Sequence, residues 1–263
     1  MSALLAKAWR DHRRTLIGFG LGLVFTQLLY AAFYPSIKES AADMNAFMER
    51  LPEALRELYG NDFASPEGYL RGQLFGELGL ILFLVVAIGA GARAIAGEEE
   101  ARTLDLLLST PVRRAEVLRA KAIALVGLMT VLGVIAFAAV LVVGPPFDLT
   151  VGAAPMAAAT LMLVLLAIAF GSIALAIGAW TGHRSTAIAI TTAVAVLMYI
   201  LNALGGTVDA LEPLRPLSLL RWYMVPPLLS GGLEWENVLV LAGTSIAAYV
   251  VAHATFTRRD LAS

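Results

Sequence analysis

The residues that most often carry out chemistry are scarce in this chain, and most stand at the edges of apolar runs. Its lysines are Lys7, Lys38 and Lys121, and none follows a glycine, so no phosphate-binding loop is present. The histidines are His12, His183 and His253, with no His-Glu-x-x-His spacing to hold a catalytic zinc. No Gly-x-Ser-x-Gly nucleophile turn occurs. The absence of cysteine excludes a disulfide scaffold, a thiolate metal site and a thiol nucleophile. The densest charge lies in residues 97–117, GEEEARTLDLLLSTPVRRAEV, where Glu98 and Arg102 stand four apart. On a helix that spacing forms an ion pair of about 0.3–0.5 kcal/mol.

Glu-x-x-x-Arg also resembles a motif of intramembrane prenyl-endopeptidase-like enzymes. Those enzymes need a second glutamate just before it and histidines inside the membrane. Gly97 occupies the place of that glutamate, and the histidines fall near span ends. The middle of each apolar run carries only neutral polar groups: Gln27, Thr130, Thr192, Asn202 and Thr244. Glu77 and Arg93 lie about a turn from the ends of the second run, within reach of water. A proton relay keeps ionisable groups deep in the bilayer despite a cost of about 2.5–3.5 kcal/mol or more. This pattern therefore disfavours an ion-coupled carrier as well as an intramembrane enzyme.

What surrounds these residues is oil. The chain is 59% hydrophobic and 15% charged over 263 residues, with a mean hydropathy of +0.78. Soluble domains carry about 25% charged residues, so the composition is that of an integral membrane protein forming one domain over 1–263. Six stretches reach the roughly 20 residues a spanning helix needs: about 15–34, 74–96, 120–143, 156–180, 186–204 and 237–256. The first follows Lys7, Arg10, Arg13 and Arg14 as a signal peptide would. It is 20 residues long and ends in Tyr34-Pro35, where a cleaved apolar region runs about 7–15 residues and ends in small ones. It is expected to be a retained span.

Basic residues set the orientation. Thirteen lie in the N-terminus, residues 93–121, the 181–185 turn and the C-terminus, and six lie in the other connections. The positive-inside rule therefore predicts both termini in the cytoplasm. Sixteen arginines against three lysines, amid abundant alanine and glycine, point to a GC-rich prokaryote and so to its plasma membrane. In residues 1–14, Leu4, Leu5, Ala8, Trp9 and His12 share one helical face, which reads as an amphipathic interfacial helix or as a solvated positive flank. In the outer loop 35–73, Ile37, Ala41, Met44, Met48, Leu51, Leu55 and Leu58 recur at helical spacing with Pro52 among them, predicting one or two amphipathic helices. Residues 205–236 form a second outer loop. Gly18-x-x-x-Gly22, Gly72-x-x-x-Gly76 and Gly178-x-x-x-Gly182 allow close helix approach.

The charged stretch then has a clear reading. Gly97 is expected to break the second span, with Glu98, Glu99 and Glu100 in the first turn of a new short helix over 97–111. Ala101, Leu104, Leu107 and Leu108 share one face, while Leu106 points the other way between Arg102 and Asp105. Thr110-Pro111 ends the segment and is expected to start the third span. A short cytoplasmic helix with two apolar sides fits a docking element.

EEEARTLDLLLSTPVRRAEVLRAK resembles the coupling-helix signature of ABC type-2 permeases, the six-helix membrane subunits of ABC exporters. The likeness is strongest over Thr103 to Pro111 with Glu116, Val117, Leu118 and Lys121. LSLLRWYMVPPLLSGGLEWENVLVL and the closing FTRRDL are similar to the family as well. Arg102 stands where the family usually has glycine, and Arg113 where a serine commonly caps the third span ahead of Glu116.

The resemblance implies an all-α permease that forms the translocation path and takes its energy from elsewhere. The expected partners are two cytosolic ABC ATPase subunits, which would bind ATP and Mg, and a second permease chain, identical or homologous. No cofactor and no nucleic acid is expected on this chain. The implied docking residues are Glu98, Glu99, Arg102, Leu104, Asp105, Leu106, Leu107, Leu108, Ser109, Thr110, Pro111 and Arg113. Gln27 and Asn202 are candidates for the substrate path. The competing readings are a six-span intramembrane enzyme and a half-size secondary transporter.

Overall fold

The computed structural model describes residues 2–41, 65–103, 113–206, 208–224 and 233–258. Its main helices are α1 (Ser2–Glu39), α2 (Pro66–Glu100), α3 (Arg114–Val143), α4 (Ala153–Thr181), α5 (Arg184–Leu204), a short α6 (Leu219–Met224) and α7 (Trp235–Arg258). No strand occurs among the described residues. All but α6 are long and apolar enough to cross a membrane, which makes the chain a six-span, all-α membrane protein.

Helix α4 is the hub. Of its most apolar window 78% is buried, against 22% for α5 and 17% for α7. It packs on α2, α3, α5 and α7, and α1 completes the bundle against α3. Small side chains make this possible. A Cβ on Gly91 of α2 would lie 2.0 Å from the Gly171 carbonyl oxygen of α4, so the two backbones touch there. Of the predicted close-approach glycines, Gly178 does serve: a Cβ there would stand 3.3 Å from the Ala92 carbonyl. Gly18 and Gly22 face open space. The outward faces carry Leu21, Phe25, Val134, Leu197, Ile246 and Val250, all exposed, as an apolar solvent requires.

The end of the bundle away from the N-terminus is held by tyrosines. The Tyr69 ring lies 6.3 Å from that of Tyr30 and 5.3 Å from that of Tyr34, and its hydroxyl donates to the Tyr30 carbonyl at 3.1 Å. Tyr223 of α6 is fully buried and donates to the Phe75 carbonyl at 2.7 Å.

Several boundaries differ from the expectation. No glycine or proline separates residues 1–14 from the first span, and the structure accordingly runs one unbroken helix from Ser2 to Glu39, with Pro35 in its final turns. At 1.5 Å per residue, 38 residues extend about 57 Å, so both ends of α1 project beyond a hydrocarbon core of about 30 Å. The 35–73 connection is shortened from both sides. Ile37 belongs to α1, and α2 already begins at Pro66, where the Ser65 hydroxyl accepts from the Gly68 N–H at 3.0 Å. Residues 42–64, which carry Met44, Met48, Leu51, Leu55 and Leu58, lie outside the described residues.

Gly97 does not break α2. The helix widens into π-helical turns at Arg71–Glu77 and Arg93–Gly97 and continues through Glu100. The chain leaves the helix at Arg102, whose φ is 53°. Helix α3 starts at Arg114 rather than at Pro111, because Arg113 is extended and serves as its N-cap. The Glu116 carboxylate accepts from the Arg113 N–H at 3.3 Å. A guanidinium has no acceptor to return the bond, so only half of a capping box forms. The turn between α4 and α5 is as short as expected, with Gly182 at φ 73°.

Candidate functional site

The three glutamates lie at the C-terminal end of α2, where a helix dipole disfavours negative charge. Their surroundings compensate. The Glu98 side chain turns inward, 12% exposed, and receives Lys121 of α3 and Lys7 of α1, the latter at 3.5 Å. The Glu98 carbonyl accepts from the Thr103 hydroxyl at 3.2 Å, closing one of the orphan carbonyls of the helix end. Glu100 reaches across to α5, where its carboxylate accepts the Arg184 N–H at 2.8 Å. His183, the N-cap of α5, supplies no side-chain capping bond. Glu100 thus caps a neighbouring helix whose dipole favours an anion at that place.

The other flank of the leucine stretch is tied down as well. Arg114 lies 6.0 Å over the Phe256 ring of α7 and donates to the Phe256 carbonyl at 3.4 Å. Val117, Leu118 and Ile95 pack with Phe256 in a small core at this end. The segment that reads as a docking element is therefore anchored before and after itself on α1, α3, α5 and α7. Leu104, Asp105, Leu106, Leu107, Leu108, Ser109, Thr110 and Pro111 themselves lie outside the described residues. Of the other docking candidates, Glu98 is turned inward, Glu99 is half-buried, and Arg102 and Arg113 are the exposed residues at the helix boundaries.

Along the membrane-facing side, α1, α2 and α5 enclose an open groove of about 810 Å³. Phe19, Ile81, Leu84, Val85, Ile88 and Ile188 form much of its wall, and Thr192 is one of its few polar residues. Arg93 and Arg184 stand at the end of the groove nearest Gly97. Gln27 and Asn202 do not line it. Gln27 is buried in the bundle, and Asn202 accepts from Arg215 Nε at 3.5 Å near the C-terminal end of α5. Thr130 and Thr244 bond back to the carbonyls of Val126 and Val240, each at 2.8 Å, so their hydroxyls are spent within their own helices.

Residue reading alone missed the two lysines. Lys7 carried a signal, since it is one of only three lysines in an arginine-rich chain, but nothing local pairs it with Glu98, 91 residues away. The groove is a product of packing between α1, α2 and α5 and has no sequence pattern of its own.

No curated protein gives a match to this chain. Residues 2–261 match the family model described as ABC-2 family transporter protein. With six spans, an anchored charged segment between the second and third, and a match over nearly its whole length, the chain belongs to the ABC-2 transporter family and is the membrane permease of an ABC transporter.

Proposed function

We propose that this permease is the force-transmitting half of an ATP-driven exporter. It works with a second permease chain and two cytosolic ATPase subunits that bind ATP and Mg. Both termini lie in the cytoplasm of a prokaryotic cell, and residues 97–111 receive the ATPase. The observation that carries this reading is the anchoring of that segment. Glu98 is gripped by Lys121 and Lys7, Glu100 caps α5, and Arg114 clasps α7. A load applied to the segment passes directly into four spans, whereas a solvated loop would absorb it. The groove between α1, α2 and α5 is the path we assign to the substrate, in place of Gln27 and Asn202.

Leu106 is the residue that most directly tests the docking surface. By helical spacing in the sequence, Leu104, Leu107 and Leu108 share the face proposed to pack on the spans, and Leu106 falls on the opposite one. Fully burying a leucine is worth about 1.5–3 kcal/mol, so Leu106→Asp should weaken ATPase binding more than tenfold and abolish stimulated hydrolysis. Leu106→Ala should do so less. Thermal stability of the permease alone should be unchanged. Wild-type assembly and stimulation in both variants would refute this docking surface.

A further inference from the structure

The wall of the groove is almost entirely apolar, and its charge is concentrated at one end. Among the described residues, the charged ones that line it are Arg93 and Arg184, and none is a carboxylate. The two arginines reach it from different helices and converge over Gly97. A Cβ placed on Gly97 would lie 3.3 Å from Arg93 Cβ and 4.0 Å from Arg184 Cδ. Among the described residues neither side chain forms an ion pair with a carboxylate. Glu100 is close by, but it is engaged with the Arg184 backbone N–H. Arg93 donates Nε to the Gly89 carbonyl at 3.0 Å, which fixes the plane of its guanidinium and leaves its terminal nitrogens for another acceptor.

Two like charges at the same end of an oily groove are complementary to one kind of ligand. Forked donors match the oxygens of a phosphate or carboxylate. From Gly76 to Arg93 the groove follows α2 for about 25 Å, enough for an extended alkyl chain. The groove is open rather than enclosed and runs along apolar spans, which gives a bilayer molecule a way in. We propose that the groove binds an anionic lipid from the cytoplasmic leaflet, its acidic headgroup between Arg93 and Arg184 and its acyl chains along Val85 and Ile88. This rests on the assignment of the groove as the substrate path and names the class of molecule that path takes.

The test is native mass spectrometry of the purified full-length permease, titrated with dioleoyl phosphatidylglycerol and, separately, with dioleoyl phosphatidylcholine. Charge-assisted bonds are about twice as strong as neutral ones, so the anionic lipid should bind about tenfold or more tightly. The Arg93→Gln/Arg184→Gln double variant should lose that preference while binding phosphatidylcholine as before. Val85→Trp, which fills the groove, should weaken both lipids. Inorganic phosphate in millimolar excess should not displace phosphatidylglycerol, since the acyl chains contribute most of the contact. Equal binding of the two lipids, a preference that survives the double variant, or full displacement by phosphate would overturn the proposal. So would lipid uptake seen only in variants that break the oligomer, which would make the groove a contact between two copies. ATPase pull-down on the same variants separates the two claims. Lost lipid preference with assembly intact supports the proposal, while a wild-type permease that shows the preference and recruits no ATPase sinks the exporter reading alone.

Discussion

At the scale of single residues, Arg102 has the clearest cost. Its φ of 53° lies in the left-handed region, where a Cβ costs roughly 1–2 kcal/mol. The family usually places glycine at this position, and the backbone geometry supplies the reason. Glycine would remove that strain but lose more entropy on folding, about 0.5–1 kcal/mol. Arg102→Gly should therefore stabilise the permease by a net of about 0.5–1 kcal/mol, read as a raised thermal midpoint in detergent. A lowered midpoint would mean that the guanidinium makes contacts that outweigh the strain. Glu98 shows the limit of reading residues one at a time. Its place in a run of acids suggested a helix start, where a dipole welcomes it. The fold puts it at a helix end and supplies two ammonium groups from 91 residues before and 23 residues after.

Among the elements, α2 behaves least like a simple span. A π-turn near each end offsets its hydrogen-bond ladder, and such turns leave carbonyls open to side chains. Tyr223 meets Phe75 in the first of these turns, and Arg93 meets Gly89 just before the second. Burial pushes the Tyr223 phenol well above its ordinary pKa, so it remains a donor at any physiological pH. Tyr223→Phe leaves a buried carbonyl unpaired and should cost about 1–3 kcal/mol. Hydrogen exchange should quicken in residues 71–80, and unaltered exchange there would show that Tyr223 does not hold the turn. Apolar length made the spans readable in the sequence, and their number and order follow from it. Their ends were less readable, because ends depend on partners. The lack of a breaker before the first span lets α1 run straight from Ser2, but no local signal told α2 to pass through Gly97. The half-formed box at Arg113 was readable, since Glu116 and the missing serine are three residues apart.

At the scale of the whole molecule, the charge asymmetry and the lipid-facing residues act together. Thirteen basic residues fall in one set of connections and six in the other, and the positive-inside rule predicts from this that residues 97–118 face the cytoplasm and residues 35–73 the outside. Because the chain has no cysteine, single substitutions report topology cleanly. Asn45→Cys should react with an impermeant maleimide in intact cells, and Ser109→Cys only after permeabilisation. The reverse pattern would invert the molecule and remove the docking segment from any cytosolic ATPase.

The central claim is that this permease transmits the work of ATP hydrolysis and does none of it. Its most direct test is purification of the tagged chain from its native membranes, with ATP binding and hydrolysis measured on the complex and then on the isolated permease. The account predicts an ATP-hydrolysing partner held in equal numbers with the permease, and no saturable ATP binding by the permease alone. Saturable binding to the isolated chain, or a chain that transports without any ATPase attached, would contradict it.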